Sequence, residues 1–268
     1  MNPIKISIMA LALTLLSACG NNLEENNKTE NNKVETSTIK KVLFVLTSHE
    51  DLGETGHKTG FWLEEFSDPY YLLTDAGVEI TLASPNGGRP PMDPNSDSEN
   101  FQTEGTKRFK KDTIMQELLS NTVKLETINT DGYDAVYYPG GHGPLWDLAN
   151  DKNSIALLEA FFKSKKTIAV ACHGPAIFKN TKKQDGTPLV KGLKVTGFSN
   201  SEETISGLNE VVPFLVEDML IENGGIYSKG ADWTPHVVED GLLITGQNPA
   251  SAKFVAEKLL EKLLEKLN

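Results

Sequence analysis

The sequence predicts an α/β domain with a mainly parallel sheet and helices on both faces. Three observations lead there. Five apolar runs of strand length are nearly continuous, as strands buried on both faces require. Amphipathic stretches alternate with them, the pattern of parallel strands joined by helical crossovers. The run Thr167 to Ala171 ends at Cys172 and is followed at once by His173-Gly174-Pro175-Ala176, which reads as a buried strand breaking into a helix. In such folds ligands gather beyond the carboxyl ends of the strands.

In chain order, residues 1–18 read as a removable signal. Lys5 precedes the apolar stretch Ile6 to Leu16, which is too short to span a membrane. Leu16-Ser17-Ala18-Cys19 resembles the lipobox of bacterial lipoproteins, which implies cleavage before Cys19 and acylation of its thiol. Residues 19–38 follow as a lipidated cysteine and a tether; positions 20–38 hold six asparagines and only Leu23 and Val34 as sizeable apolar groups, too little to fold.

From residue 39 to 268 the chain reads as one domain. Val42–Leu46, Glu79–Ala83, Ala135–Tyr138, Thr167–Ala171 and Leu242–Thr245 are the expected strands, with Lys194–Gly197 and Gly225–Ser228 as weaker candidates. Phe61–Ala76, Thr113–Ser120, Leu145–Ser164, Glu210–Glu222 and Ala250–Lys266 are the expected helices. The last is amphipathic and too short for a partner-binding coil, so it reads as docking on its own domain. The stretch Ser84 to Thr106, rich in Pro, Gly, Asp and Ser, reads as a long loop, either covering a site or decorating the surface.

Charge narrows the partners. The whole chain has 26 basic against 37 acidic residues, net −11. Loss of Lys5 with the signal takes this to −12. Basic groups occur only in short pairs such as Lys40-Lys41 and Lys182-Lys183, which disfavours nucleic acid. Membrane attachment is expected through the lipid.

Three strand ends supply chemical groups. After the first come His49, Glu50, Asp51 and His57, then Glu64 and Glu65 on the next helix. The histidines and acids lack a tight metal-ligand spacing and read as solvated loop residues. After the third comes Pro139-Gly140-Gly141-His142-Gly143-Pro144, whose glycines let backbone amides approach a bound oxygen. His142 reads as a pocket residue or a structural hydrogen-bonding group. The fourth ends at Cys172. With Cys19 acylated, this is the one free thiol, and a helix start beyond it favours the thiolate. A lone cysteine after a strand is ordinarily an inert core residue; the adjacent histidine and the glycine turn favour a nucleophile. Neighbouring strand residues point to opposite faces, so Cys172 and His173 share a proton only if the elbow is sharply bent.

The segments Ala169 to Ala176, the Gly-Gly-His-Gly turn, Lys58-Thr59-Gly60-Phe61-Trp62-Leu63-Glu64-Glu65 and Thr245 to Ala252 together resemble the ThiJ/PfpI superfamily, in order from about Lys41 to Lys258. The likeness is strongest to its heat-shock-type branch of glutathione-independent glyoxalases (glyoxalase III) and chaperones. It implies a flavodoxin-like three-layer sandwich, related to class I glutamine amidotransferases, with a cysteine nucleophile elbow. It further implies Cys172 as nucleophile and His173 and Glu203 as its triad, with Glu202 the adjacent alternative. Glu65, or its neighbour Glu64, is implied as the carboxylate on the thiol. Gly140, Gly141 and His142 are expected at the oxyanion and substrate site, the amides of Gly141 and His173 facing the oxyanion. Trp233 resembles a segment near the site and also reads as a packing aromatic.

The expected activity is conversion of methylglyoxal or a related 2-oxoaldehyde to the hydroxy acid, with no cofactor and no metal. A holdase chaperone and a cysteine-dependent amidohydrolase are the alternatives. The expected partners are a small reactive carbonyl compound and a second copy in a homodimer. The expected location is the bacterial envelope, at either the inner or the outer membrane.

Overall fold

The computed structural model describes residues 39–265. The signal, Cys19 and the asparagine-rich tether lie outside the described residues. In chain order the elements are β1 (Lys41–Val45), α1 (Leu63–Asp75), β2 (Glu79–Ser84), α2 (Glu104–Phe109), α3 (Thr113–Ser120), β3 (Val123–Lys124), β4 (Ala135–Tyr138), α4 (Lys152–Lys163), β5 (Thr167–Ala171), β6 (Lys194–Val195), α5 (Asn200–Ile205), α6 (Val216–Glu222), β7 (Ile226–Tyr227), β8 (Val237–Asp240), β9 (Leu243–Gly246) and α7 (Ala252–Glu265). Seven strands form one sheet in the order β3-β2-β1-β4-β5-β9-β8, parallel except for the β8–β9 pair. The two weaker strand candidates pair with each other as β6 and β7, a small parallel sheet.

Alternate residues of the central strands feed two cores. Val42, Phe44 and Tyr137 pack with Phe66 of α1 and Leu259 of α7 on one face. Leu43, Val45, Val136 and Val170 pack with Leu158 and Phe161 of α4 and Leu220 of α6 on the other. Both faces of β4 and β5 are therefore buried, which explains their unbroken apolar runs. Among the described residues no helix is long and apolar enough to cross a membrane.

The differences from expectation lie at edges and helix starts. Strands β3 and β8 flank the sheet, where one side stays wet; Val123-Lys124 and Val237-Val238-Glu239-Asp240 accordingly carry no apolar run. The stretch Leu145–Ser164 divides into a short 3₁₀ turn at Gly143–Leu145 and α4, whose start is fixed by Asp151 accepting from the Ser154 amide at 2.8 Å. Helix α6 begins only at Val216, beyond Pro213. Helices α2 and α5 are six residues each, too short to show an amphipathic period.

Helix α1 contains Pro69, which lacks the amide that Glu65 O, four residues earlier, would normally accept. The Tyr137 hydroxyl supplies that bond instead, at 2.7 Å from the middle of the sheet. This replacement tethers the first turn of α1, and Glu65 with it, to β4. Tyr137→Phe leaves a buried carbonyl unpaired and should cost about 1–3 kcal/mol. Urea unfolding should show a lower midpoint with an unchanged slope.

Candidate active site

Cys172 sits where β5 ends, with φ 58°, in the left-handed region that a side chain ordinarily avoids. Its amide donates to Gly246 O and its carbonyl accepts from the Phe198 amide, both at 2.9 Å. This is the sharp bend that the Cys-His neighbours need. It brings Cys172 Sγ to 3.2 Å from His173 Nδ1. On the far side of that ring, His173 Nε2 lies 2.7 Å from Glu203 Oε2.

Glu203 is 2% exposed and also bonds His142, through Oε1 to Nε2 at 2.9 Å. Burial pushes its carboxyl up, but His173 and His142 outweigh this and hold it well below the usual carboxylate range. The His173 imidazole is held below its ordinary value, chiefly by burial and then by His142. His173 is thus a neutral ring backed by a carboxylate.

The neighbouring carboxylate, Glu202, does a different job. Ser199 caps α5, accepting from the Glu202 amide at 3.2 Å, while Glu202 Oε2 accepts from the Ser199 amide and hydroxyl at 3.1 and 2.8 Å. Glu202 Oε1 accepts from Asn248 Nδ2 and from the Trp233 amide, each at 2.8 Å. This box fixes the register of the Glu-Glu pair, Glu203 toward His173 and Glu202 toward the Trp233 loop. The signal was present in the sequence as Ser-x-x-Glu, a capping box.

Glu65 is fully buried against the Cys172 thiol. Its Oε2 accepts from the Gly140 amide at 2.6 Å, and Oε1 has no hydrogen bond of regular geometry. Burial pushes this carboxyl up to about 8, although Cys172 and Gly140 pull the other way. Glu64 also lines the cavity, pushed up to about 7 by burial and by the charge of Asp68.

Two expectations need correction. The segment after Cys172 is a five-residue 3₁₀ turn, Gly174–Phe178, and does not supply the dipole of a full α-helix. Burial and the Glu65 charge push the thiol well above its ordinary value, with the Gly141 amide opposing. The Gly140 amide is spent on Glu65 and does not face a bound oxygen. A Cβ at Gly140 would lie 2.6 Å from the His173 amide nitrogen and 2.8 Å from Glu65 Oε2, so this glycine serves close packing of the elbow.

Gly141, His142, Cys172 and His173 open onto a cavity of about 430 Å³. The stretch 84–106 covers it, contributing Asp93, Asn95, Ser98 and Phe101 to its wall. A more open groove of about 890 Å³ lies beside Lys163, Lys165 and Asp240, at the amino ends of β5 and β9, and its lining holds neither cysteine nor histidine. The loop candidates stay apart from this chemistry. Lys58 pairs with Glu50 and Asp51 at 2.8 Å on the surface, and His49 stacks on Trp146 at 5.2 Å. Among the described residues, ligand atoms of His142, His173 and Glu203 lie within 4.8 Å of one another. That donor set suits a divalent transition metal, but a metal there would replace the two bonds that orient the imidazoles.

The pattern of the DJ-1/PfpI family matches residues 57–262. The chain belongs to the DJ-1/PfpI family. Within it, the chain is 31% identical over 233 residues to the glutathione-independent glyoxalase HSP31 of Saccharomyces cerevisiae, covering 84% of this chain and 98% of that one. Among solved structures it resembles glyoxalase III of Candida albicans, with a TM-score of 0.77 at 30% identity over 83% of this chain and 96% of that one. It also resembles the rapid encystment protein REP24 of Francisella tularensis, with a TM-score of 0.80 at 38% identity over 84% and 99%.

The raised carboxyls set a pH dependence. A carboxyl near 4.5 when unfolded and about 8 when folded binds its proton more tightly in the native state. Its contribution is therefore complete below about pH 4.5 and lost as pH rises through about 8. Tm of the parent should fall between about pH 5 and 9. Glu65→Gln, which keeps the shape and the acceptor for Gly140, should flatten that decline by several degrees; equal slopes would remove Glu65 from the account.

Proposed function

We propose that this protein is a glutathione-independent glyoxalase, converting methylglyoxal or a related 2-oxoaldehyde to the 2-hydroxy acid at Cys172. The observation that carries the reading is the pair of protein groups that meet the thiol, neutral His173 on one side and buried Glu65 on the other. The names of the relatives above support it.

His173 Nδ1 takes the thiol proton while Glu203 steadies the resulting imidazolium. Sγ adds to the aldehyde carbon, C1, and the carbonyl oxygen receives that proton, giving a hemithioacetal. The Gly141 and His173 amides hold the transient oxyanion. The ionised form of Glu65, a stronger base than an ordinary carboxylate because it is buried, takes the hydrogen from C1 as a proton and returns it to C2. His173 moves the hydroxyl proton from the C1 oxygen to the C2 oxygen. The hemithioacetal and the product thioester are isomers, so C1 is oxidised as C2 is reduced and no external oxidant enters. Water then cleaves the thioester, giving the hydroxy acid and the free thiol. No glutathione is consumed, and every step up to the thioester is assigned to a side chain or amide of this chain.

The envelope location is part of the same reading. Leu16-Ser17-Ala18-Cys19 supports a lipoprotein anchored through Cys19, and incorporation of labelled palmitate lost in Cys19→Ser tests it.

The full-length protein should form lactate from methylglyoxal without glutathione and with chelator present. Cys172→Ala should fall to background. Glu65→Gln and His173→Ala should each lose about 10²–10⁴-fold in kcat. Near-parental turnover by His173→Ala would remove the triad from the mechanism, and folded parent protein that makes no lactate would overturn the reading.

A further inference from the structure

The cavity is much larger than methylglyoxal needs. At about 430 Å³ it falls within the ~300–1,000 Å³ typical of sites for drug-sized ligands, and a molecule of five heavy atoms leaves most of it unfilled. Its polar lining residues share the wall with four aromatic rings, which supply most of its large apolar surface. Trp62 and Phe101 meet edge to face at 5.1 Å, and Phe198 and Trp233 do so at 5.6 Å. Phe198 also lies 4.2 Å from the His173 ring, so the aromatic wall runs from the mouth to the catalytic imidazole.

Two of these rings are placed at a cost to the fold. Phe101 is 43% and Trp233 44% exposed, apolar surface that folding alone does not reward. Trp233 has φ 60°, strained for a side chain, and is kept there by its amide bond to buried Glu202. The charged side chains of the lining are Glu64 and Asp93, with no lysine or arginine. A carboxylate or phosphate on the substrate would find no cation.

Resting on the glyoxalase reading, we propose that the substrate class is 2-oxoaldehydes whose ketone carbon bears an uncharged aryl group. The ring lies between the Trp62–Phe101 and Phe198–Trp233 pairs, and the aldehyde reaches Cys172. The reaction adds one water to an arylglyoxal and yields the 2-aryl-2-hydroxy acid. The aldehyde carbon is oxidised, the ketone carbon is reduced, and the water oxygen enters the carboxylate.

The test compares phenylglyoxal, 4-carboxyphenylglyoxal and methylglyoxal with the full-length protein, without glutathione. Hydroxy-acid formation is the readout, because phenylglyoxal also modifies arginine. kcat/KM for phenylglyoxal should exceed that for methylglyoxal about tenfold or more, and the carboxylated analogue should fall well below phenylglyoxal. Trp233→Ala and Phe101→Ala should each lower the phenylglyoxal value about tenfold more than the methylglyoxal value. Methylglyoxal turnover with no aryl preference, or equal losses for both substrates in both variants, overturns this inference and leaves the glyoxalase reading standing. No hydroxy acid from any of the three overturns both.

Discussion

The left-handed backbone at Cys172 is the constraint on which the site depends. A non-glycine residue at φ 58° costs on the order of 1–3 kcal/mol and persists only where its surroundings leave no alternative. Here β9 holds the cysteine amide through Gly246, and the segment leading into α5 holds its carbonyl through Phe198. Because of that bend, Cys172 and His173 lie on one side of the chain, and a single imidazole can touch the thiol and Glu203 at once. A relaxed strand end would separate them onto opposite faces, and the chain of contacts from the sulfur through His173 to Glu203 would be broken.

Around the elbow, buried carboxylates are driven in opposite directions. Glu203 keeps its charge because two histidines meet its two oxygens. Glu65 loses much of its tendency to ionise because burial outweighs the opposing bonds from Cys172 and the Gly140 amide. The same side-chain type thus keeps its charge in one place and holds its proton more tightly in the other, the environment alone making the difference. Glu65 is held in this buried position at both its carbonyl and its carboxylate. Pro69 leaves its carbonyl free, Tyr137 captures that carbonyl from the sheet, and Gly140 captures its carboxylate from the glycine turn.

The central strands were legible because both of their faces are buried: Ala135–Tyr138 and Thr167–Ala171 are buried at every residue and apolar apart from Thr167 and the tyrosine hydroxyls, and the structure has strands over the same residues. Edge strands have no such signature, since one side of Val123-Lys124 or Val237 to Asp240 meets solvent. The site residues were legible as types and less so as registers. Glu202 and Glu203 are adjacent on one helical turn, and only the cap at Ser199 decides which faces His173. The thiol's environment was read from a helix start and is instead dominated by burial, a property of the whole fold that no local motif encodes. Gly140 shows the same limit: a glycine pair reads as two amides for a ligand, yet one amide belongs to Glu65.

The stretch that walls the cavity and the glycine turn are hydrogen-bonded to the same short piece of backbone. The short segment Gly60 to Trp62 runs between them. On one side the Phe61 amide donates to Pro91 O and the Asp93 amide to Phe61 O, both at 2.9 Å. On the other the Trp62 amide donates to Gly140 O and the Gly143 amide to Gly60 O, both at 3.2 Å. Gly141, at φ 81°, packs so closely on this segment that a Cβ would collide with Gly60 O. The chain then enters α1 with Glu64 and Glu65 in its first turn. The cavity-lining stretch, the glycine turn and the first turn of α1, which carries the buried Glu65 carboxyl, are thus joined through one short segment of backbone. These bonds fix the orientation in which α1 presents Glu65 to Cys172, and orientation of this kind is what positions reacting groups.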